Sequence, residues 1–349
     1  MGCDTDVFVV GGGPAGLAAA IAASAQGFRV IVADGAKPPI TKACGEGLLP
    51  DAMAALSELG VELREMDGWA LRGIRFEDER SSVSARFPGG HGLGVRREIL
   101  HQRMMERARN CGVSLLWNTP VTGLSEGAVV AGGNRIQARW VIGADGSQSR
   151  VRRWSGLESF VSHRGRFAFR LHYRLQPWSD FTEVHWGAEA QAYVTPVGSH
   201  EICVVLISNK PNVRFGETLC RFPELSRRLD GAPRTSSERG AVTSMFHLKR
   251  VCQGNVALVG DASGSVDAIT GEGLALSFRQ ANVLAEALSR NDLESYQRAH
   301  RRLFRRPQLM GNLLLLLDRR SGLRKRSMRA LEAAPQLFER MLAYHLGES

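Results

Sequence analysis

An α/β fold is predicted from three features of this sequence of 349 residues. The chain opens with a strand, a glycine-rich turn and a helix, its middle third alternates as antiparallel strands do, and its last third has helical patterning. We therefore expect a discontinuous Rossmann-type nucleotide-binding domain made of residues 1–68, 93–150 and 248–290. Residues 69–92 and 151–247 are expected to form an inserted, mostly antiparallel β-sheet substrate domain, and residues 291–349 a helical C-terminal segment.

The start of the chain predicts a βαβ unit. Residues 7–10 are apolar, the turn Gly11-x-Gly13-x-x-Gly16 and an alanine-rich helix follow, and a second apolar strand, residues 29–33, ends in Asp34. The first glycine permits a tight turn, the second lets the backbone approach a pyrophosphate, and the third lets helix and strand pack closely. An acid at position 34 accepts hydrogen bonds from a ribose and disfavours a 2′-phosphate, so FAD or NAD is favoured over NADP.

The middle of the chain predicts a sheet. Residues 69–86 form a hairpin with its turn at 77–81, and residues 96–111 form a helix. Residues 167–175 alternate strictly, with Arg170, His172 and Arg174 on the polar face, which we expect to be solvated; the alternative is that this face lines a cavity. Short strands at 114–117, 129–130, 140–142, 182–186, 191–195, 202–207 and 256–259, and a helix at 273–289, complete the pattern.

Two further segments resemble those of known flavoproteins. Residues 141–152 are similar to the Asp-Gly segment, and residues 256–262 to the Gly-Asp segment, of the superfamily of aromatic hydroxylases (group A flavin monooxygenases) and geranylgeranyl reductases. The resemblance implies that the discontinuous domain binds FAD, with Asp261 at the ribityl chain. The cofactor-binding residues implied by the turn and the resemblance are Gly11, Gly13, Pro14, Ala15, Gly16, Asp34, Cys44, Gly45, Arg97, Asp145, Gly260, Asp261, Gly271 and Gly273.

Two loops resemble the geranylgeranyl-reductase branch of this superfamily. They are residues 42–48, Lys-Ala-Cys-Gly-Glu-Gly-Leu, and residues 269–274, Ile-Thr-Gly-Glu-Gly-Leu, and the resemblance places both against the isoalloxazine ring. Cys44 is a candidate catalytic residue as a ring contact or proton donor. Glu46 and Glu272 are candidate proton donors if burial raises their pKa. The second loop departs from its relatives at Ala268, where most have proline, and at Ala275, where many hydroxylases have asparagine.

The resemblance favours an FAD-dependent oxidoreductase that acts on an apolar small molecule, prenyl, lipid-like or polyketide-like, and reduces a carbon–carbon double bond. The alternative is NAD(P)H-dependent hydroxylation of an aromatic or polyketide substrate. A halogenase and a non-catalytic flavin-binding protein are further alternatives, and residues 191–196 keep only the proline of the halogenase segment. No second glycine turn in a strand–helix setting follows residue 150, so NADPH or NADH, or another reductant, must donate electrons transiently.

Composition limits the other functions. The six cysteines form no close pair and no His cluster accompanies them, so we expect no metal site. From Tyr296 onward 12 basic and 4 acidic residues leave a net charge of +8 out of +10 for the chain, without the aromatic interleaving of a nucleic-acid surface. The chain is expected to be cytoplasmic. We expect part of this C-terminal segment either to contact a membrane surface peripherally or to pack against the nucleotide-binding domain. That part comprises the apolar residues 313–317 and the cations Arg319, Arg320, Arg324, Lys325 and Arg326.

Overall fold

The computed structural model describes residues 3–125, 128–160, 164–210 and 214–347. Parts of the predicted domains that fall on the remaining residues lie outside this description. The strands are β1 (Thr5–Val10), β2 (Val30–Ala33), β3 (Gly47–Leu48), β4 (Gly68–Leu71), β5 (Gly73–Glu77), β6 (Ser82–Arg86), β7 (Gly92–Val95), β8 (Ser114–Leu116), β9 (Val121–Ser125), β10 (Ala128–Ala131), β11 (Asn134–Gly143), β12 (Arg164–Tyr173), β13 (Phe181–Trp186), β14 (Ala190–Gly198), β15 (Glu201–Ser208), β16 (Arg239–His247), β17 (Cys252–Gln253), β18 (Val256–Leu258) and β19 (Gly264–Ser265). The helices are α1 (Pro14–Ala25), α2 (Pro50–Glu58), α3 (Arg97–Asn110), α4 (Arg150–Trp154), α5 (Phe215–Leu219), α6 (Pro223–Leu229), α7 (Gly273–Ser289), α8 (Leu293–Arg319), α9 (Ser321–Ala333) and α10 (Pro335–Leu346).

The first sheet has the order β17-β18-β11-β1-β2-β8, with β10 and β9 attached at β11. Strands β18, β11, β1, β2 and β8 run parallel. Such strands are buried on both faces, which explains why β1 and β2 are almost wholly apolar. Helix α1 begins at Pro14, after the glycine turn that follows β1, and its alanines allow close packing against the sheet and α7. The α/β nucleotide-binding class with a helical C-terminus is confirmed.

The second sheet has the order β19-β16-β12-β15-β14-β13-β5-β6 and is antiparallel except where β13 pairs with β5. The predicted hairpin is observed as β5 and β6. Helices α5 and α6 cover one face of this sheet, and apolar residues of α9 and α10 pack on the other. A small third sheet, β3-β7-β4, contains the end of the first loop that resembles geranylgeranyl reductases, because β3 is formed by its last two residues.

The polar face of β12 corrects one expectation. Arg170 and His172 are 1% and 0% exposed, whereas only Arg174 of the three is exposed. The expected solvation was wrong for two of them because Glu46, from a loop outside this sheet, covers that face of the strand. Strand alternation alone cannot show that a separate loop will cover a polar face.

The C-terminal helices also differ from expectation at one residue. Arg324, expected either at a membrane surface or packed against the nucleotide-binding domain, is instead 4% exposed and pairs at 3.0 Å with Asp78, between β5 and β6 of the second sheet. Arg319, Arg320, Lys325 and Arg326 are exposed. In the described part of the chain, no helix combines the length and the apolar character that crossing a membrane would require.

Candidate active site

A cavity of about 650 Å³, the first cavity, lies between the carboxyl end of the first sheet and one face of the second. The glycine turn and the two Gly-Glu-Gly loops open onto it. The predicted site residues that line it are Gly11, Gly13, Pro14, Ala15, Asp34, Cys44, Gly45, Glu46, Arg97, Asp145, Asp261, Gly271 and Gly273. Gly16, Gly260 and Glu272 do not line it. Residues that are far apart in the sequence are thus brought around one space.

The glycine turn has the geometry that its sequence predicts. A Cβ on Gly16 would lie 1.9 Å from the carbonyl oxygen of Gly11, so only glycine permits this contact between helix and turn. A Cβ on Gly13 would meet nothing within 4 Å, because this residue faces open space at the start of α1. Asp34 accepts hydrogen bonds from the backbone N–H groups of Gly12, at 2.7 Å, and Ala36, at 2.8 Å. The turn therefore presents free N–H groups and the helix dipole to the cavity.

The other predicted acids at the cavity have different partners. Asp261 forms an ion pair with Lys42 at 2.6 Å, with both side chains partly exposed. Asp145 accepts hydrogen bonds from the backbone N–H groups of Arg150, at 2.7 Å, and Val151, at 3.1 Å, at the start of α4. Asp145 thus stabilises a helix terminus, as its place before a turn would allow. Sequence reasoning gave no role to Lys42, whose partner lies 219 residues away.

Glu46 is held in a buried cluster with Arg170 and His172, which we call the Glu46 cluster. One carboxylate oxygen lies 2.6 Å from Arg170 Nη1, and the other accepts from His172 Nε2 at 2.6 Å. The backbone N–H of Arg97 donates to the same carboxylate at 3.2 Å, and Ser236 Oγ lies 2.9 Å from His172 Nδ1. Strand β12 therefore fixes the loop that carries Cys44. Glu46 has a φ of 59°, a left-handed conformation that these contacts support.

The two candidate proton donors differ in charge. Burial raises the pKa of Glu46, but the hydrogen bond from His172 and the attraction of His172 and Arg170 outweigh it, so the pKa lies below its ordinary value. Burial, followed by the charge of Asp51, raises the pKa of Glu272 to about 8. The condition that we set for a proton donor is therefore met at Glu272 and not at Glu46. Glu272, however, lines a different cavity.

Cys44 is a free cysteine that lines the first cavity. Its sulfur lies 3.5 Å from the backbone nitrogen of Glu46, and its carbonyl accepts from Cys203 Sγ at 3.7 Å. Cys44 is thus the one residue among the three catalytic candidates that faces the cavity with a side chain that is not in an ion pair.

The far end of the first cavity is apolar. Its walls come from the second sheet and from residues beside the two Gly-Glu-Gly loops, and they include Leu49, Ile74, Phe76, Ala168, Val184, Val205, Ile207, Val266 and Ile269. Tyr193 of the second sheet also lines it, whereas Phe169 and Tyr173 pack on the other face of the sheet. Trp186 stacks on Phe76 with 4.8 Å between ring centroids. The arrangement suits an elongated polar ligand followed by an apolar one.

Several known proteins are similar to this chain in sequence or in fold. Residues 4–295 match the FAD binding domain family. A menaquinone reductase of Mycobacterium tuberculosis is 29% identical over 323 residues, which cover 82% of this chain and 77% of the relative. A digeranylgeranylglycerophospholipid reductase of Methanopyrus kandleri is 30% identical over 307 residues, 77% of this chain and 76% of the relative. A solved geranylgeranyl bacteriochlorophyll reductase-like protein of Thermoplasma acidophilum has a TM-score of 0.75 at 22% identity, covers 88% of this chain and 87% of its own, and so shares the fold.

Proposed function

The chain belongs to the FAD binding domain family, and from that premise we propose that it reduces a carbon–carbon double bond of a prenyl or lipid-like substrate. The resemblance to flavoproteins drawn from three motifs is confirmed, and the protein is an FAD-binding oxidoreductase. Its relatives support apolar substrates. The particular reaction, the electron donor and the membrane contact are our proposals.

The residues around the first cavity fit FAD. Gly13, Gly45 and Gly273 each face space in which a Cβ would meet nothing within 4 Å, so backbone can approach a ligand there. Arg97 lines the cavity, and its Nε is buried without a hydrogen-bond partner. We propose that the glycine turn and Asp34 hold the adenosine and pyrophosphate, and that Asp261, Arg97 and the two Gly-Glu-Gly loops hold the flavin half.

The observation that carries the proposal is the continuity of the first cavity. The same space is lined by the glycine turn at one end and by the apolar face of the second sheet at the other, with the two Gly-Glu-Gly loops between them. We therefore propose that residues 69–92 and 151–247 form the substrate domain, that residues 1–68, 93–150 and 248–290 form the FAD-binding domain, and that an apolar substrate lies against the sheet. Burial of apolar surface supplies its affinity.

Reduction of an alkene adds a hydride to one carbon and a proton to the other. When bound and reduced by the electron donor, FAD would supply the two electrons as hydride and return to its oxidised form. The proton must come from a group that faces the same cavity and is not held ionised. Glu46 is ion-paired and Glu272 faces elsewhere, so we assign the proton to the thiol of Cys44, which the Glu46 cluster positions through its backbone.

The electron donor is proposed to be NADPH or NADH that binds transiently. Among the described residues, the first sheet carries one strand–glycine turn–helix unit, and that unit faces the first cavity. A second tightly held dinucleotide therefore has no comparable cradle there. The donor must approach the flavin from solvent, or another reductant must replace it.

The exposed side of α8 supports peripheral contact with a membrane. Leu309, Leu313 and Leu316 are 61%, 38% and 40% exposed. These leucines, together with Arg302 and Arg306, follow one another at intervals of three or four residues, so the five side chains form a stripe on one side of the helix. Exposed leucines beside arginines are typical of a helix that lies at an anionic lipid surface. We propose that this stripe brings the protein to the layer in which a lipid-like substrate resides.

The proposal is tested with FAD-loaded protein, NADPH or NADH, and menaquinone as the substrate, in the absence of oxygen. We expect a product that is still heavier by two hydrogen atoms after any quinol has been reoxidised to the quinone, with fragmentation in the mass spectrometer placing both atoms in the prenyl chain, and the same product when oxygen is admitted. A product that carries an added oxygen atom, formed only with oxygen, would instead establish the hydroxylase alternative.

The role of Cys44 is tested in the same assay. Cys44→Ala should lower the rate of double-bond reduction at least tenfold, while the flavin absorbance and FAD content stay unchanged. Cys220→Ala is the matched control, because Cys220 is an exposed free cysteine that does not line the first cavity. Equal rates in the two variants would remove Cys44 from the mechanism.

A further inference from the structure

A second cavity, of about 400 Å³, lies behind the loop that carries Glu272. It is lined by Glu272 of that loop and by residues of α7, α8 and α10, namely Arg279, Val283, Ala299, Arg302, Leu303, Arg306, Pro307 and His345. Thr270, Gly271 and Gly273 line the first cavity, whereas the intervening Glu272 lines the second. The two spaces are therefore separated by a single loop, and the proposed reaction makes no use of the second.

The rim of the second cavity is basic. Arg302 and Arg306 lie one turn apart on α8, and both are exposed. Among the described residues neither has a carboxylate within ion-pair distance, and the Arg306 guanidinium lies 5.2 Å from the ring centre of Tyr344. The third arginine, Arg279, is paired with the buried Asp51 at 3.1 Å. Two guanidinium charges thus remain to attract an anion.

The inner wall holds two buried polar groups with unsatisfied atoms. Glu272 and His345 are 2% and 7% exposed, and neither Glu272 Oε2 nor His345 Nδ1 has a hydrogen-bond partner. The two atoms lie 3.6 Å apart, and His345 Nε2 donates to the carbonyl of Thr270 at 3.2 Å. Unpaired buried polar atoms carry a free-energy cost that a ligand can remove.

The protonation states of these two groups suit one kind of ligand. Because the pKa of Glu272 is raised to about 8, its carboxyl is largely protonated at neutral pH and can donate a hydrogen bond. Burial lowers the pKa of His345, so its Nδ1 has a free lone pair that can accept one. A phosphate that keeps one proton offers both partners, since it has acceptor oxygens and one P–OH donor.

We propose that the second cavity binds a phosphate group, either free phosphate or the phosphate monoester of a lipid headgroup. Arg302 and Arg306 contact its charged oxygens, Glu272 donates to one oxygen, and His345 accepts from the P–OH. The ligand joins the loop that carries Glu272 to α8 and α10, and so stabilises the contact of His345 with the Thr270 carbonyl beside the first cavity. The exposed stripe of α8 begins at the same two arginines, which places the mouth of the cavity where a headgroup would arrive.

The test measures phosphate binding to the FAD-loaded protein, in which the phosphate-binding turn of the first cavity is already filled. Isothermal titration calorimetry at constant ionic strength uses inorganic phosphate, with chloride as the reference anion. The double variant R302A/R306A should weaken binding at least tenfold. R301A/R305A is the matched control, because it removes two exposed arginines with the same spacing from the same helix but outside the cavity, and it should bind as the parent does.

A second arm distinguishes the source of the phosphate. Dihexanoyl phosphatidic acid, a soluble monoester, is compared with inorganic phosphate, and affinity at least tenfold higher for the lipid assigns the site to a headgroup. Equal affinities assign it to free phosphate. Absence of binding in the parent, or equal loss in both double variants, would overturn the proposal. None of these results depends on turnover, so failure here is separable from failure of the proposed reductase reaction.

Discussion

Glu46 and Glu272 each lie between two glycines and are both 2% exposed, yet their carboxyls differ in charge. Arg170 and His172, which hold Glu46 ionised, stand 124 and 126 residues further along the chain. For Glu272, the largest effect on the pKa after burial itself is instead the charge of a buried acid, Asp51. The resemblance of the two loops to geranylgeranyl reductases predicts that both lie at the flavin ring, but the charge of each glutamate depends on partners that only the folded chain brings near.

The raised pKa of Glu272 predicts a pH dependence of stability. Folding raises this pKa from 4.5 to about 8, so between these values the folded state holds a proton that the unfolded chain releases. The free energy of unfolding therefore falls as pH rises through this window. Glu272→Gln, which stays neutral, should match the parent near pH 4, become progressively more stable than it up to about pH 8, and keep a constant advantage above.

Thermal unfolding of FAD-loaded protein at several pH values measures this difference. Glu332→Gln is the control, because Glu332 is an exposed carboxylate on α9 that does not line the second cavity. If the difference in unfolding temperature between Glu272→Gln and the parent stays the same from pH 4 to pH 9, the raised pKa of Glu272 is contradicted.

At the scale of elements, the C-terminal helices are part of the sheet's core. Four of their apolar side chains pack on the second sheet, namely Met328, Phe338, Leu342 and Leu346. The ring centre of Phe338 lies 5.6 Å from that of Phe76, which lines the first cavity. The sequence predicted these helices from their periodicity. It could not show which arginine is buried. Arg324 stands beside Lys325 and Arg326 in the sequence, and only folding brings Asp78 next to Arg324.

The buried Arg324–Asp78 pair should anchor α9. Its side chains are 5% and 3% exposed, at 3.0 Å, so Arg324→Ala leaves a buried carboxylate without its partner. Removing one member of such a pair costs about 3 kcal/mol of unfolding free energy. Lys325→Ala, at the next residue, breaks an exposed contact with Glu79 at 3.5 Å and should cost less than about 1 kcal/mol. Urea denaturation measures both, and equal losses would mean that the Arg324 pair is no anchor.

Over the whole molecule, charge and exposed apolar surface coincide. The segment from Tyr296 onward carries most of the net positive charge, and α8 adds three exposed leucines to it. The charge was evident in the sequence. The exposure of Leu309, Leu313 and Leu316, set against the burial of Leu315, required the folded structure, because a run of leucines does not show which of them face outward.

Replacing Leu309, Leu313 and Leu316 together by serine should reduce co-sedimentation with vesicles rich in phosphatidylglycerol at least tenfold, because the apolar contact is lost while the charge remains. Met66→Ser is the control, since Met66 is 81% exposed on another part of the chain. Binding by the parent should fall as salt is added, because screening weakens the attraction of the arginines. Unchanged sedimentation of the triple variant would show that α8 does not contact the bilayer.

The order of strands in the first sheet has a consequence for synthesis on the ribosome. Strand β11 pairs with β1 on one side and with β18 on the other. Val141 of β11 can pair with Val256 of β18 only after the ribosome has made β18. While the intervening chain is made, β11 presents an open edge of unpaired backbone groups, which other strands can join. Asp261 and Gly273 follow β18, so a nascent chain has no complete cofactor site until that edge has closed. Translation arrest between residues 143 and 256 should leave a product that aggregates whatever the supply of flavin.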